Sequence, residues 1–150
     1  MEQADLNNNE KALEYFNKNT NLQNLMLQTL EKTIENLTIN KVSSPFLVSK
    51  DCFFEPATDN SEEALRQIKE KILEIESPHV VYSITGTLSS LPQVNWETQK
   101  TIFINGFDTT ENIGILLVQM YQPKNELDNF ELIGNGMVQF IPTLKEFIKQ

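Results

Sequence analysis

Two side chains in this sequence have the chemistry for nucleophilic or histidine-based catalysis. His79 is the single histidine and Cys52 the single cysteine, so any histidine chemistry depends on His79, and the two together could form a base and a nucleophile. Cys52 stands in an apolar run that is typical of a buried thiol, and the sequence shows no third group that would orient His79. His79 also follows Pro78, where a role in a turn is commoner than catalysis. We therefore predict no catalytic residue.

Metal and phosphate sites are not predicted either. The sequence lacks the glycine-rich phosphate loop and the Gly-x-Ser-x-Gly, His-Glu-x-x-His and Cys-x-x-Cys spacings. Carboxylates gather in two predicted turns, at Asp108 and Glu111 and again at Glu126, Asp128 and Glu131, and such oxygens suit hard cations. The ligand spacing and the glycine of a calcium loop are nevertheless missing. We predict neither a metal nor another cofactor.

The net charge of −9 arises from 21 acidic and 12 basic side chains. This field repels phosphate backbones, so no direct nucleic-acid partner is expected. The sharpest acidic stretch is residues 51–63, which contain no basic residue and whose acids are Asp51, Glu55, Asp59, Glu62 and Glu63. Such a stretch is typical of a solvated loop and helix start, and the functional alternative is a docking site for a basic partner protein.

Trp96 is a candidate anchor for a protein–protein contact. It lies in the long predicted loop 89–99 without an apolar run around it, and exposed tryptophans often carry interfaces. The alternative is that its ring folds back over the sheet edge, because large aromatic side chains are well buried on average.

The length of 150 residues matches a single domain, which we expect to span residues 1–150 with residues 1–9 flexible. The hydrophobic share of 39% is ordinary for a globular protein. No stretch approaches the roughly 20 apolar residues that a membrane span needs, and the polar start lacks the pattern of a secretory signal. We expect a soluble, cytoplasmic protein without a membrane partner.

The opening third of the chain has the apolar spacing of two helices, with stripes at 12–16 and 22–37. The asparagine-rich segment 17–21 separates them. Thr20 with Gln23 fits a capping box that begins the second helix. A third helix is predicted from 64–75, and a short final helix is predicted to open at Pro142, where the missing N–H of proline costs nothing.

Strand-like runs make up most of the remaining chain. A small hairpin is predicted within the β-type segment 42–54, followed by strands at 80–88, 100–107, 113–121 and 130–141. The connections between these strands are too short for helical crossovers, so successive strands should pair antiparallel as a meander. The third of the four is uncharged, which indicates a strand covered on both faces or a face covered by another copy. Gly134 and Gly136 indicate a bulge or bend in the last strand.

These elements predict an α+β fold in which N-terminal helices pack on a mostly antiparallel sheet. The sheet consists of the four-strand C-terminal meander plus a possible N-terminal hairpin, and a short C-terminal helix ends the chain. The segments 119–123 and 131–135 resemble small bacterial domains, a resemblance that implies no particular function.

Two functional hypotheses from different classes follow. The first is a non-catalytic, acidic protein-binding module, acting as an accessory, inhibitor or immunity-type protein or as a homodimer, with Trp96 and the acids of 51–63 in the contact. The second is a small-molecule-binding domain, either a binding protein or an enzyme, with a pocket between the helices and the sheet that is lined by Tyr82, Tyr121 and Glu131.

Overall fold

The computed structural model describes residues 2–58, 60–88, 99–123 and 129–149, with the backbone alone at residues 2–8 and 88. The described helices are α1 (Glu2–Lys18), α2 (Thr20–Asn40), α3 (Ser61–Ile72) and α4 (Leu144–Lys149). The strands are β1 (Phe46–Ser49), β2 (Cys52–Phe54), β3 (His79–Leu88), β4 (Gln99–Asp108), β5 (Ile113–Gln122) and β6 (Glu131–Ile141). Residues 2–9, which belong to the segment predicted to be flexible, lie in α1.

The strands form one six-stranded sheet in the order β2-β1-β3-β4-β5-β6, and every neighbouring pair is antiparallel. The predicted α+β class, the hairpin of β1 and β2, and the meander from β3 to β6 are therefore confirmed. Short connections explain this order, because a chain that leaves one strand and returns after a tight turn pairs with the strand it has just left.

The two faces of the sheet carry separate cores. Side chains alternate between the faces along each strand, so Val81 contributes to one core and its neighbours Val80 and Tyr82 to the other. Helices α1 and α2 cover the first face, where Met26 and Ile104 are fully buried. Helices α3 and α4 cover part of the second face. The sheet thus lies between two helical layers of unequal size.

Helix α2 begins at an asparagine. Asn19 is the N-cap, and its Oδ1 accepts a hydrogen bond from the backbone N–H of Leu22 at 3.2 Å. The predicted capping box at Thr20 is therefore wrong, because Thr20 is already the first helical residue. The short amide side chain of Asn19 satisfies an N–H that has no partner within the helix, and it does so one position earlier than the predicted threonine.

Helix α4 begins later than predicted. Its first residue is Leu144, and Oγ1 of Thr143 accepts a hydrogen bond from the backbone N–H of Glu146 at 3.4 Å. The predicted place of Pro142 as the first helical residue is wrong for this reason. Pro142 precedes the capping threonine and separates the helix from β6.

Gly106 allows α2 to approach the sheet closely. A Cβ atom at this position would lie 2.5 Å from Sδ and 2.9 Å from Cγ of Met26. At Gly86 in the neighbouring strand, the nearest atom to such a Cβ would be Cε2 of Phe103 at 3.6 Å, an ordinary contact.

We expect Gly106→Ala to lower the free energy of unfolding by about 1–3 kcal/mol, because overpacking displaces Met26 and with it α2. Gly86→Ala is the matched control and should change it by no more than about 0.5 kcal/mol. Urea denaturation of both variants measures the difference. Equal effects would show that Gly106 is not a packing constraint.

Candidate functional site

An apolar part of the second sheet face lies outside both cores. Cross-strand partners on β4, β5 and β6 form three rows there, which are Thr101–Met120–Ile133, Phe103–Val118–Met137 and Asn105–Leu116–Gln139. We call the apolar members of these rows the open face, which consists of Phe103, Leu116, Val118, Met120, Ile133 and Met137. None of these side chains belongs to, or packs against, either core cluster formed by the described residues.

Helices α3 and α4 cover the second face only as far as the row of side chains next to the open face. The next row contains Phe107 and Ile141, and the Phe107 ring stacks on Phe147 of α4 with 5.5 Å between the ring centroids. Beyond that row Thr101 and Asn105 are buried, but the apolar side chains are half-buried or exposed, and Met137 is 55% exposed. Large apolar side chains that remain in contact with water mark a surface that can gain stability from being covered.

The open face is uncharged. Strand β5 has no ionisable acid or base at all except Tyr121, and no charged residue lies between Glu131 and Lys145. For β5 we predicted either a strand covered on both faces or a strand with one face covered by another copy. The structure shows the cover of one face. Helices α1 and α2 cover one face of β5, where Ile115 and Leu117 are buried, and the other face carries Leu116, Val118 and Met120.

Strand β6 is the edge of the sheet, and a bulge interrupts it. The register with β5 shifts between Val118 and Met120, so residues 134–136 face Gln119 alone. Gly134 adopts φ +69°, a conformation that glycine reaches without strain. The predicted bulge is thus present. Because bulges twist an edge away from regular pairing, the face of β6 is a better contact surface than its edge.

The bulge is held by a buried amide. Nε2 of Gln119 donates to the backbone carbonyl oxygens of Met120 at 3.0 Å, Ile133 at 3.3 Å and Gly134 at 3.2 Å. The bonds to Ile133 and Gly134 tie the start of the bulge in β6 to Gln119 of β5. They also fix the position of Ile133 beside Met120 in the open face.

A second candidate site is a polar cluster where α1 and α2 meet the sheet. Nε2 of His79 lies 3.1 Å from Oδ2 of Asp108, its cross-strand partner. Nδ2 of Asn19 donates to the same carboxylate oxygen at 2.7 Å and to the hydroxyl of Tyr15 at 2.9 Å. Asp108 is 4% exposed, so these hydrogen bonds lie in a partly desolvated setting where they are stronger than in water.

Asp108 is ionised at neutral pH. Burial raises the pKa of its carboxyl group, but the backbone N–H of Glu111, the Asn19 amide and the nearby His79 lower it by more, so the net pKa is below the ordinary value of 3.8. Since a carboxylate only accepts hydrogen bonds, Nε2 of His79 carries the proton that it shares with Asp108. The arrangement orients the imidazole, and it also ties the junction between α1 and α2 to the ends of β3 and β4.

His79 lines an open groove of about 820 Å³. We call this space the hairpin groove, because it lies between the first turns of α2 and the hairpin of β1 and β2. Its α2 wall carries Asn21, Asn24 and Gln28, and its hairpin wall carries Lys50, Asp51 and Phe53. Sequence reasoning missed this groove, because the spacing of the amides along α2 has no meaning until the hairpin is placed opposite them.

Cys52 and His79 do not form a catalytic pair by register. Cys52 pairs with Ser49, and Ser49 pairs with Val80, so the side chain of Cys52 is on the same sheet face as that of Val80. His79 is the neighbour of Val80 and is therefore directed to the opposite face, toward Asp108. Both residues border the hairpin groove, but they reach it from different sides of the sheet.

The acidic residues of 51–63 do not converge on one surface among those that the structure describes. Asp51 lies in the hairpin turn beside Lys71 and Glu74 at the C-terminal end of α3. Glu62 is in the first turn of α3, about 14 Å along the helix axis from Lys71. Negative charge in a first helical turn is favourable to the helix dipole, which gives this acid a structural role.

The remaining acids of this stretch have individual surroundings. Glu63 pairs with Arg66 on the exposed side of α3. Glu55 is exposed directly after β2. Asp59 lies outside the described residues, as does Trp96, so neither predicted contact is placed.

Tyr82, Tyr121 and Glu131 do not line a common pocket. Tyr82 belongs to the core under α3 and α4, whereas Tyr121 belongs to the core under α1 and α2, so the sheet separates the two rings. Burial raises the pKa of both phenols. Glu131 is exposed at the start of β6, near the open face.

Within the described ranges, no group of three or more histidine, cysteine, aspartate or glutamate side chains is arranged to hold a metal ion. None of the described helices has the length and apolar character to cross a membrane. Comparisons with protein-family models, with curated proteins and with solved structures found no match to this chain.

We expect Asp108→Asn to lower the free energy of unfolding at neutral pH by about 1–3 kcal/mol, because the neutral amide cannot replace a carboxylate that accepts from His79, Asn19 and two backbone N–H groups. The folded-state pKa of Asp108 is lowered, so this stabilisation is present above the unfolded-state pKa and is lost as the pH falls through the folded-state pKa. The difference from wild type should therefore shrink below about pH 4.

Denaturant unfolding at neutral and acid pH measures this effect. Asp51→Asn is the control, because it removes an exposed turn carboxylate and should leave stability almost unchanged. A difference between wild type and Asp108→Asn that stayed constant down to acid pH would contradict the role assigned to the Asp108 carboxylate.

Proposed function

We propose that the protein is a non-catalytic protein-binding module that works as a homodimer, and that the open face is its contact surface. The observation that carries this proposal is the set of six apolar side chains on β4, β5 and β6 that belong to neither core. Their covering by a protein surface would remove them from water, which is the dominant favourable contribution to most protein association.

The charge distribution favours a second copy as the occupant. A two-fold interface sets the same region of each copy against the other, so an uncharged contact surface avoids repulsion between two chains of net charge −9. The rows of the open face meet this condition, because their polar members Thr101, Asn105 and Gln139 are uncharged. A basic heterologous partner would instead be recognised by acidic surfaces, and the described acids of 51–63 are dispersed.

The size of the open face sets the expected affinity. An apolar patch of this kind covers a few hundred Å². A standard interface buries about 800 Å² on each partner, so the polar margin must contribute and the dimer should be reversible, with a dissociation constant on the order of micromolar. Because salt screens the repulsion between two chains of charge −9, association should strengthen as ionic strength rises.

The expected location of the protein in the cell is also part of this proposal. A cytoplasmic location suits the free thiol of Cys52, since that compartment keeps thiols reduced. The competing function, binding of a small molecule by a pocket that contains both Tyr82 and Tyr121, loses support because the sheet lies between them.

We expect Met137→Asp to abolish the concentration-dependent dimer, because it places a carboxylate in the middle row of the open face. Leu132→Asp is the matched control. It adds the same charge to the same strand at a residue of similar exposure, 43% against 55%, but Leu132 is the partner of Tyr121 and is directed to the opposite face.

Sedimentation velocity over a range of protein concentrations, at low and high salt, measures both variants and the wild type. Loss of the dimer in Met137→Asp alone supports the proposal. A wild type that stays monomeric at all concentrations and salt conditions, or two variants that behave alike, would contradict it. A complex that instead weakened with added salt would indicate a charged contact away from the open face.

A further inference from the structure

We propose that the hairpin groove is a binding site for a neutral saccharide. This inference is independent of the dimer, because the groove lies at the β2 edge of the sheet and the open face lies at the β6 edge. The groove volume of about 820 Å³ falls in the range of small-ligand sites, and every residue that lines it belongs to the described part of the chain.

One wall of the groove is a line of carboxamides. Asn21, Asn24 and Gln28 are spaced three and four residues apart, so they share one side of α2 and extend about 10 Å along its axis. Within the described structure none of the three amides has a hydrogen-bond partner, although their neighbour Gln23 donates to Asn17. Each amide offers donors and an acceptor at once, which is the combination that neighbouring hydroxyl groups of a sugar can satisfy.

The opposite wall holds an exposed aromatic ring in a fixed position. Phe53 is 55% exposed, and its inner surface stacks on the ring of Phe46 with 5.5 Å between the centroids. Phe46 itself is 1% exposed, so the platform beneath Phe53 is part of the folded core. An aromatic surface that is already ordered can cover the C–H side of a pyranose ring without the entropic cost of first immobilising a loop.

The charges of the groove favour a neutral ligand. Lys50 and Asp51 stand side by side in the hairpin turn, so the groove presents one fixed charge of each sign. The net charge of −9 opposes binding of phosphates and other strong anions. A polyhydroxylated ring matches these features, because it accepts from ammonium and amide groups, donates to carboxylate and amide oxygens, and carries no charge of its own.

His79 completes the polar lining from the floor. Asp108 holds its Nε2 proton, which leaves Nδ1 as the hydrogen-bonding atom that His79 has to offer to a ligand. The role assigned to His79 is therefore ligand binding, with no catalytic step implied.

The test is a titration of the ¹⁵N-labelled full chain with three neutral trisaccharides, namely maltotriose, cellotriose and triacetylchitotriose, at millimolar concentrations. We expect at least one of them to produce saturable shifts in the side-chain amide signals of Asn21, Asn24 and Gln28 and in the backbone signals of the hairpin. Phe53→Ala should weaken that binding about tenfold, whereas Phe53→Tyr should preserve it. Leu73→Ala, which removes another exposed apolar side chain, is the control.

The unligated spectrum of Phe53→Ala shows whether the variant is folded, and Asn24→Ala with Gln28→Ala gives a second disruption on exposed helical positions if it is not. Absence of saturable shifts with all three sugars would overturn the inference. Binding that maps outside the groove, or that is unaffected by the variants at Phe53, Asn24 and Gln28, would overturn it as well. None of these outcomes alters the expectation for the dimer, because Met137 and the groove lie at opposite edges of the sheet.

Discussion

The structure depends on one constraint, which is that a sheet with two apolar faces must have both of them covered. Helices α1 and α2, with 17 and 21 residues, lie on the first face, whereas α3 and α4 have only 12 and 6. The described helices of the second layer are therefore too small to cover six strands. Its helices bury the side chains of β1, β3 and the near end of β4, and the far rows of β4, β5 and β6 are left as the open face.

A second constraint is a set of polar contacts that fixes the position of α1 and α2 on the sheet. The break between α1 and α2 occurs at Asn19, whose oxygen caps α2 while its amide nitrogen donates to Asp108 and Tyr15. One side chain thus sets the turn between two helices and their place over β4. The hydrogen bonds of the cluster with His79 therefore have a structural explanation, and Asn19 also places α2 so that its amides face the hairpin.

Much of the fold could be predicted from local patterns, because each element depends on residues close in the chain. The four strands of the meander begin and end within about two residues of the predicted limits, and the uncharged character of 113–121 already indicated a strand with an unusual second face. The starts of α2 and α4 were misplaced by one or two residues, since Asn19 and Thr143 compete with equally suitable neighbours. The cap is the residue whose side chain reaches the free N–H groups, and the spacing of residue types in the sequence does not determine which residue that is.

The candidate sites were harder to predict, because they depend on register and on which helix covers which face. Phe103, Val118 and Met137 form one row only when three strands are aligned, and a bulge of residues 134–136 decides which part of β6 joins them. The same lack of register information put Tyr82 and Tyr121 into one hypothetical pocket, although the sheet separates them. Trp96 and Asp59 lie outside the described residues, so their predicted roles remain predictions.

The methionine side chains provide the most direct measurement of the central claim, which is that the open face is a contact surface between copies. Met120 and Met137 belong to the open face, whereas Met26 of α2 is 0% exposed in the core on the other face of the sheet. In methyl NMR spectra recorded at increasing protein concentration, the account predicts that the signals of Met120 and Met137 shift together and that the signal of Met26 stays in place. Signals that are all independent of concentration, or a shift of Met26 as large as that of Met137, would contradict it.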